Sequence, residues 1–393
     1  MTEGVTLYLL LWLLYLSECF IGVSKRSLAF VWGWNKQWHL RVPSSFIATI
    51  KRGAVLLNPL WPGTRVVLGS LTPISISPEG ICAFNAQSFF DAGRPPQTPH
   101  YLAFGDIKSC AIQERSVLIN AAPFVECANI AESQQIAELI NQAVRTSSSQ
   151  RQQLIGKFLV RRFDQREALG SFAAMSDGLH SLEILCLVFF PLLFILAPLM
   201  AFRYGLEAVI IPTAIGMIGF AVAIAWLVWY RHKALWPSLS NERWSSVLKI
   251  IFCPPGAIRA VGDLTANFSM ACDPLVVSAL LPRDDRERFA LAYLRDLHFP
   301  IKDGLEGPVK EVVDWYRAEL LKQAMTYVKT QTDLRFDSIS IPPVFETDCQ
   351  SYCPRCQSQF TTEAGDCSGC DGVHLLRRSP SPAISLASAK APL

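Results

Sequence analysis

Charged residues are scarce in this chain. Asp, Glu, Lys and Arg make up 18% of its 393 residues, whereas hydrophobic residues make up 51%. The formal net charge is +3, which is too small to indicate nucleic-acid binding by itself. Residues 184–202 and 208–230 contain no charged residue at all. Because soluble cores seldom hold two such runs in succession, the composition predicts membrane spans with soluble domains attached.

The chain also lacks the dense, even cysteine spacing of a secreted protein built on disulfides. It has 12 cysteines, of which seven are scattered among mostly apolar neighbours. We expect these seven to be small buried side chains. The other five lie within residues 349–370. This usage predicts a reducing compartment for the soluble regions.

Three apolar runs can reach across a membrane, because a helix rises ~1.5 Å per residue and the hydrocarbon core is ~30 Å thick. Residues 184–202 and 208–230 predict a transmembrane helical hairpin, with a buried helix pair of a soluble core as the alternative. Residues 5–23 predict an N-terminal transmembrane anchor. A cleaved signal peptide is the competing interpretation of this run, but such a peptide needs a positively charged start, and here Glu3 precedes the run.

The distribution of Lys and Arg predicts the orientation of these spans, since positive charges concentrate at cytoplasmic span ends. The turn between residues 202 and 208 has only one of them, Arg203. Those near the other span ends are Lys25, Arg26, Lys36, Arg161, Arg162, Arg166, Arg231 and Lys233. We therefore predict a multi-pass protein of the inner (cytoplasmic) membrane, with its N-terminus outside and both soluble regions in the cytoplasm.

Residues 41–145 alternate short β-type runs with turn residues and end in one amphipathic helix, residues 131–144. The stretch YLAFGDIKSCAIQERSVLINAAPF resembles bacterial PH-like and GRAM-like domains. The resemblance implies a small β-rich PH-like domain, a class that often binds phosphorylated lipid or peptide. Another small barrel or an α+β sandwich is the alternative fold. Residues available for a basic rim are Lys51, Arg52, Arg65 and Lys108, although an ordinary solvated surface is the simpler interpretation of them.

Most of the remaining sequence is predicted to be helical. Residues 147–183 predict a helical stalk before the hairpin, whose basic residues could alternatively lie along an anionic membrane surface. Residues 231–345 predict a helical cytoplasmic region, with its longest helix starting at Pro308. Residues 377–393 are rich in Ser, Pro and Ala and predict a disordered tail.

The strongest chemical signal is a pair of CxxC motifs separated by ten residues. Their cysteines are Cys353, Cys356, Cys367 and Cys370. Four thiolates at this spacing can close a tetrahedron around Zn²⁺ with bonds of ~2.3 Å. We therefore predict a structural zinc ribbon over residues 349–374, with bound iron or a redox-active dithiol as alternatives. Cys349 and His374 are spare donors at its margins.

The order of these parts, with the motif YCPRC and the following QF, resembles a group of bacterial multi-pass membrane proteins. Members of that group have an N-terminal PH-like domain and a C-terminal YCPRC zinc ribbon. The resemblance implies a multi-domain membrane protein with an N-terminal anchor, a PH-like domain, a transmembrane hairpin, a helical cytoplasmic region and the ribbon. It implies no mechanism, because no activity is assigned to the group.

Three functions fit this architecture. We favour a membrane-anchored scaffold or adaptor that contacts membrane lipids and binds a protein partner or forms a homo-oligomer through the hairpin. Nucleic acid is not expected, because the ribbon is acidic. The alternatives are a subunit of an envelope-biogenesis or transport complex and a lipid-acting enzyme at the inner membrane surface. For an enzyme, the sequence offers no nucleophile–base pair and no open metal site, so we predict no catalytic residue.

Overall fold

Helices predominate in the part of the chain that the computed structural model describes. The described residues are 3–23, 27–32, 38–41, 54–57, 61–62, 64–70, 74–83, 100–127, 130–237, 240–266, 269–270, 272–300, 304–331, 342–343, 346, 348–370 and 372–378. The chain divides into two compact units. The first comprises Met1–Arg286 and Gly307–Tyr316, and the second comprises Glu287–Glu306 and Arg317–Leu393.

Some predicted features lie outside the described residues. They are Lys25, Arg26, Lys36, Lys51, Arg52 and the predicted disordered tail from residue 379 onward.

In the described part of the chain, one α-helix precedes the strands and the other α-helices lie between residues 130 and 331. They are α1 (Glu3–Ser17), α2 (Ile130–Val144), α3 (Ser148–Arg162), α4 (Gln165–Pro191), α5 (Ala197–Tyr204), α6 (Leu206–Leu235), α7 (Ser240–Phe252), α8 (Ala260–Ala266), α9 (Pro274–Val277), α10 (Arg283–His298) and α11 (Gly307–Gln331).

The strands are short and form small sheets. They are β1 (Phe20–Val23), β2 (Ser27–Trp32), β3 (Trp38–Arg41), β4 (Ala54–Leu57), β5 (Arg65–Ser70), β6 (Ile74–Ile76), β7 (Gly80–Ala83), β8 (His100–Ala103), β9 (Cys110–Gln113), β10 (Ser116–Ile119), β11 (Ala122–Glu126), β12 (Ser269–Met270), β13 (Ser351–Tyr352), β14 (Gln359–Phe360) and β15 (Leu376–Arg377).

One sheet joins strands from distant parts of the sequence. Strand β2 lies between β3 and β5 with antiparallel pairing to both, and β12 pairs with β5 in parallel. Strand β1 pairs with β4. Strands on both sides of the predicted domain, residues 41–145, therefore pair with strands inside it. Local sequence patterns predict where a strand lies but not which distant strand pairs with it.

Two antiparallel three-stranded sheets, β6–β7–β8 and β9–β10–β11, follow in chain order. Helix α2 packs against β9 and β10 and buries Ile136, Leu139, Ile140 and Ala143, which are the positions that the helical periodicity predicts. This arrangement explains the alternation of strands and the closing helix, while the PH-like identity of the domain stays a prediction.

The first apolar run forms a shorter helix than predicted. Helix α1 ends at Ser17, so it is about 22 Å long, and Phe20–Val23 form strand β1. The prediction of a helix over residues 5–23 is therefore wrong in its last part. Aromatic and β-branched residues favour strands, and β4 supplies the backbone partner for them.

Aromatic side chains pack α1 against the second apolar segment. The rings of Trp12 and Tyr15 lie 4.5 and 5.3 Å from that of Phe194, and both also contact Phe190. The Tyr8 hydroxyl donates a hydrogen bond to the Phe194 carbonyl at 3.3 Å. Helix α1 therefore runs alongside the second apolar segment, in the opposite direction.

Two helices are long and apolar enough to cross a membrane, Gln165–Tyr204 and Leu206–Leu235. The first consists of α4, a π-helical turn at Leu192–Leu196 and α5. Pro191 lies inside this segment, directly before the π-helical turn, and the helix continues through both. Only Gly205 separates α5 from α6.

Helices α4 and α6 pack antiparallel. The rings of Phe189 and Phe220 stack at 5.0 Å, and Arg231 donates a hydrogen bond to the Ser181 hydroxyl at 3.0 Å. Ala221 and Ala225, whose small side chains predict close helix contact, are buried within the chain. This pair of alanines is therefore already used for packing inside the protein.

Two arginines that the sequence analysis placed on the surface are buried. Arg162, counted among the basic residues of the stalk, is paired with Glu132 at 3.3 Å. Arg65, assigned to the basic rim, is 3% exposed and lies 2.5 Å from Glu183. In both pairs the arginine and its acidic partner lie in different helices or strands, so spacing along the sequence does not reveal the pairing. Lys108 is exposed as expected.

Candidate metal centre

The first CxxC motif lies in the tight turn between β13 and β14. The backbone N–H of Cys353 donates to the Ser358 carbonyl, and the N–H of Gln357 donates to the Cys353 carbonyl, both at 2.9 Å. Gln357 takes a left-handed φ of 63°, which bends the chain back into β14. The turn therefore brings the side chains of Cys353 and Cys356 to the same point.

Backbone hydrogen bonds also hold the second motif. The N–H of Cys367 donates to the Val373 carbonyl at 2.9 Å, and the N–H of Val373 donates to the Cys370 carbonyl at 3.0 Å. Gly365 and Gly372 have φ values of 138° and 72°, which explains glycine at both bends. Strand β15 follows and pairs with β13, so the second turn lies beside the first.

The two turns bring together all four predicted ligands. The Sγ atoms of the four cysteines lie within 4.8 Å of one another, and those of Cys356 and Cys367 are 3.6 Å apart. A tetrahedral metal with bonds of ~2.3 Å places its sulfurs ~3.8 Å apart. The set can therefore hold a metal ion with only small side-chain adjustments.

The cluster is shielded on one side and open on the other. Cys353, Cys367 and Cys370 are buried together with Val373 and Leu375, whereas Cys356 is exposed. Small domains of this size cannot bury a large apolar core, and a metal ion held by these cysteines would add stability.

The electrostatics of the thiols suit a cation. Burial raises the pKa of Cys353, although the backbone N–H groups of Cys356 and Arg355 donate hydrogen bonds to its sulfur. Burial alone would raise the pKa of Cys356 as well, but hydrogen bonds from Ser358 outweigh it and lower this pKa to about 7. Burial raises the pKa of Cys370. Since adjacent thiolates repel each other, all four would ionise together only with a cation bound between them.

Arg355 attaches the ribbon to the end of α10, a contact that the sequence analysis missed. Its Nε lies 3.1 Å from Asp296 Oδ1, and its Nη1 donates to the Phe299 carbonyl at 2.9 Å. Phe299 also packs against the apolar cluster around the cysteines. A basic residue between the first two cysteines is visible in the sequence, but nothing in the sequence identifies its partner.

The two spare donors lie apart from the four-cysteine set. His374 is 85% exposed, and its Nδ1 lies 2.5 Å from a carboxylate oxygen of Asp366. Cys349 is buried before β13. Among the described residues, the group that could hold a metal consists of the four CxxC cysteines without these two.

Comparison of the chain with protein-family models, with curated proteins and with solved structures gives no match. The function must therefore be inferred from the cysteine cluster, the apolar helices and their surroundings.

Proposed function

We propose that the chain is a membrane-anchored scaffold or adaptor whose cytoplasmic part includes a structural zinc ribbon and binds a protein partner. The observation that carries this proposal is the convergence of four cysteine sulfurs. Together they fill every position of a tetrahedral metal, so no position is left for a substrate or a catalytic water. The metal then stabilises a small protein surface instead of performing chemistry.

Zinc is the proposed metal because four closely spaced thiolates in a short two-turn module are typical of structural Zn²⁺ sites. The backbone N–H groups that point at the Cys353 sulfur support this role, since they stabilise negative charge on a metal-bound thiolate. Such sites are coupled to folding, so the ribbon should be folded only with its metal.

The exposure of the two apolar helices supports a location in the membrane. Only 22% of the most apolar window of each helix is buried, whereas the core helix of a soluble protein would be mostly buried. On α6, Ile211, Ile215 and Ile218 are each more than half exposed and follow one helical face. Lipid chains would cover this face. The orientation that we propose has the N-terminus outside and the ribbon in the cytoplasm, following the Lys and Arg positions.

The ribbon's charge indicates what kind of partner it contacts. Glu363 and Asp366 are well exposed, each beside a basic side chain of the ribbon, Arg377 and His374 respectively. Four thiolates around Zn²⁺ add two further negative charges. A partner with a basic protein surface is therefore expected, with contacts that weaken at high salt.

Metal analysis of the full-length chain in mild detergent tests the zinc site. We expect one zinc per chain in the unsubstituted protein and none in the double variant Cys353→Ser, Cys367→Ser. Cys349→Ser is the matched control, because it removes a buried cysteine from the same region without touching the cluster, and it should keep its zinc. Stoichiometric iron, or a redox-active dithiol without metal, would contradict the structural role.

Crosslinking in cells tests the adaptor role. A photo-crosslinker at Leu376, which is 41% exposed on the ribbon, should give a discrete protein adduct in the unsubstituted chain and in the Cys349→Ser control. The adduct should disappear in the zinc-site double variant and at high salt. An adduct of equal yield in all three proteins would show that the folded ribbon is not the binding surface.

A further inference from the structure

Helix α7 follows the last predicted span and carries an apolar face that the protein leaves uncovered. Trp244, Leu248 and Ile251 are 53%, 43% and 54% exposed, and Phe252 at the end of the helix is 83% exposed. Spacings of four, three and one place these side chains on one side of a helix. The adjacent face packs into the protein, where Val247 and Ile250 are buried.

The position of α7 places this face at the depth of the spans. Helix α7 packs beside α6, and the ring of Trp244 lies 4.5 Å from that of Trp229, one residue before the end of the charge-free run. From Trp244, the helix extends about 12 Å to Phe252. Half of a hydrocarbon core is ~15 Å thick, so a helix that turns back along α6 ends within the inner half of the core.

Contacts made by the residues after α7 indicate that α7 runs back toward the spans. The Sγ of Cys186, which lies inside the charge-free run of residues 184–202, is 3.6 Å from the Ala257 carbonyl. Pro254 and Pro255 end the helix. Gly256 lies close to the end of α1, because a Cβ there would lie 3.3 Å from Glu18 Cγ, which is a tight contact. The chain then continues into α8, where Asp263 lies 3.5 Å from Lys249 of α7.

The chain from residue 240 to residue 258 is polar at its start and almost free of charge afterwards, as entry into a membrane requires. At its start, Asn241 donates a hydrogen bond to Glu114 at 3.0 Å, and Glu242 pairs with Arg115, so this end is held by the soluble β9–β10 hairpin. From residue 244 to residue 258, Lys249 is the one charged side chain.

Acidic side chains neutralise the charge of Lys249. Its Nζ lies 2.7 Å from Glu18 at the end of α1 and 3.5 Å from Asp263 in α8. Asp263 also accepts a hydrogen bond from Arg259 at 3.0 Å. Charges inside or at the edge of a membrane are tolerated when they pair with one another, and these four residues balance to no net charge.

We infer that residues 240–266 form a re-entrant hairpin that enters the cytoplasmic half of the bilayer and returns to the same side, with lipid acyl chains covering the Trp244–Phe252 face. The inference rests on the proposed membrane location of α4 to α6. Lipid is the expected occupant because the face begins at the inner end of a span and continues to the depth of Cys186, where uncovered side chains meet hydrocarbon. The ion pairs to Glu18 and Asp263 hold the hairpin against α1 and the spans.

Depth-sensitive spin labelling of the full-length chain tests this inference. Cysteines are introduced singly at Phe252, at Ile215 as a mid-span reference, and at Ile112 as an exposed apolar reference in the soluble region. The protein is reconstituted in vesicles of phosphatidylethanolamine and phosphatidylglycerol in equal amounts. Signal from native cysteines is measured on the unsubstituted chain and subtracted. Collision with oxygen and with a water-soluble nickel complex then reports the surroundings of each label.

Labels at positions 252 and 215 should both show oxygen-to-nickel accessibility ratios several-fold above that at position 112. A high ratio at 215 with a low ratio at 252 would overturn the re-entrant hairpin and leave the spans intact. Low ratios at both positions would overturn the spans themselves. A label at 252 that neither reagent reaches would show that protein, such as a second copy, covers the face instead of lipid.

Discussion

Replacing Arg162 with Met should destabilise the first unit strongly, because this arginine is a buried charge with buried partners. The side chains of Arg162 and Glu132 are 1% and 2% exposed, and their charged atoms are 3.3 Å apart. Burial by itself would lower the pKa of Arg162, but Glu132, Tyr316 and Asp273 outweigh it and raise this pKa. Arg162 is therefore fully charged in the folded protein, and its removal leaves acidic groups without their counter-charge.

The size of the effect follows from the distance. Two unit charges 3.3 Å apart attract each other by about 5 kcal/mol at an effective dielectric constant of ~20. Breaking a buried pair by removing one member typically lowers the free energy of unfolding by about 3–5 kcal/mol. We expect Arg162→Met to fall in this range, since Met retains the apolar volume of the side chain and loses its charge.

Removing both charges should be less harmful than removing one. In the double variant Arg162→Met, Glu132→Leu, no unpaired carboxylate remains at Glu132, so much of the lost stability should return. Part of the lost free energy of unfolding should remain in the double variant, because Asp273 also interacts with Arg162. We expect a coupling energy of at least about 2 kcal/mol between the two positions.

Urea titration in mild detergent, followed by pulse proteolysis, measures the free energy of unfolding of these variants. Arg161→Met is the matched control, because Arg161 is 60% exposed and its nearest acidic partner, Glu167, is 4.0 Å away. It should change the stability by less than about 1 kcal/mol. If Arg162→Met and Arg161→Met had equal effects, or if the effects of the two buried substitutions simply added, the reasoning from the buried pair would be wrong.

Three further predictions concern α1, the membrane topology and the ribbon. Trp12→Ala should lower the free energy of unfolding in detergent by about 1–3 kcal/mol, because it removes the aromatic contacts of this half-buried side chain with Phe190 and Phe194. Leu10→Ala, at a 51% exposed position, should change it by less than about 1 kcal/mol. An impermeant maleimide should label Tyr204→Cys in intact cells but label Leu376→Cys only after permeabilisation; the reverse pattern would refute the proposed orientation. Arg355→Ala should increase amide hydrogen exchange at the end of α10 while the zinc content stays at one per chain, and loss of zinc would instead make Arg355 part of the metal site.

Features set by neighbouring residues could be predicted from the sequence. The closing helix and the buried face of α2 follow from helical periodicity. The four cysteines converge as their spacing predicts, because each CxxC turn needs only a few residues to aim two sulfurs. The conformation of these elements is determined by residues that are close together in the sequence.

Features that depend on distant partners could not be predicted. The same arginine spacing fits a solvated helix and a buried pair, so Arg162 was misplaced until Glu132 could be seen beside it. Helix α1 ends early because β4 offers a strand partner, which no local pattern shows. The apolar face of α7 is readable in the sequence, but the depth at which it lies depends on its packing against α6.

The turn between the two apolar helices affects how the protein can enter a membrane. Gly205 alone joins α5 to α6, with φ 83° and ψ 151°, a conformation close to the region that essentially only glycine occupies. A one-residue connection keeps the adjoining ends of the two helices together, so the first helix would not cross the membrane while the second remained at the surface. In the proposed membrane location, the two helices would enter the bilayer as one unit, and Arg203 and Glu207 would cross the hydrocarbon together as close neighbours of opposite charge. Replacing Gly205 with a residue that has a side chain should therefore lower the yield of membrane-inserted protein.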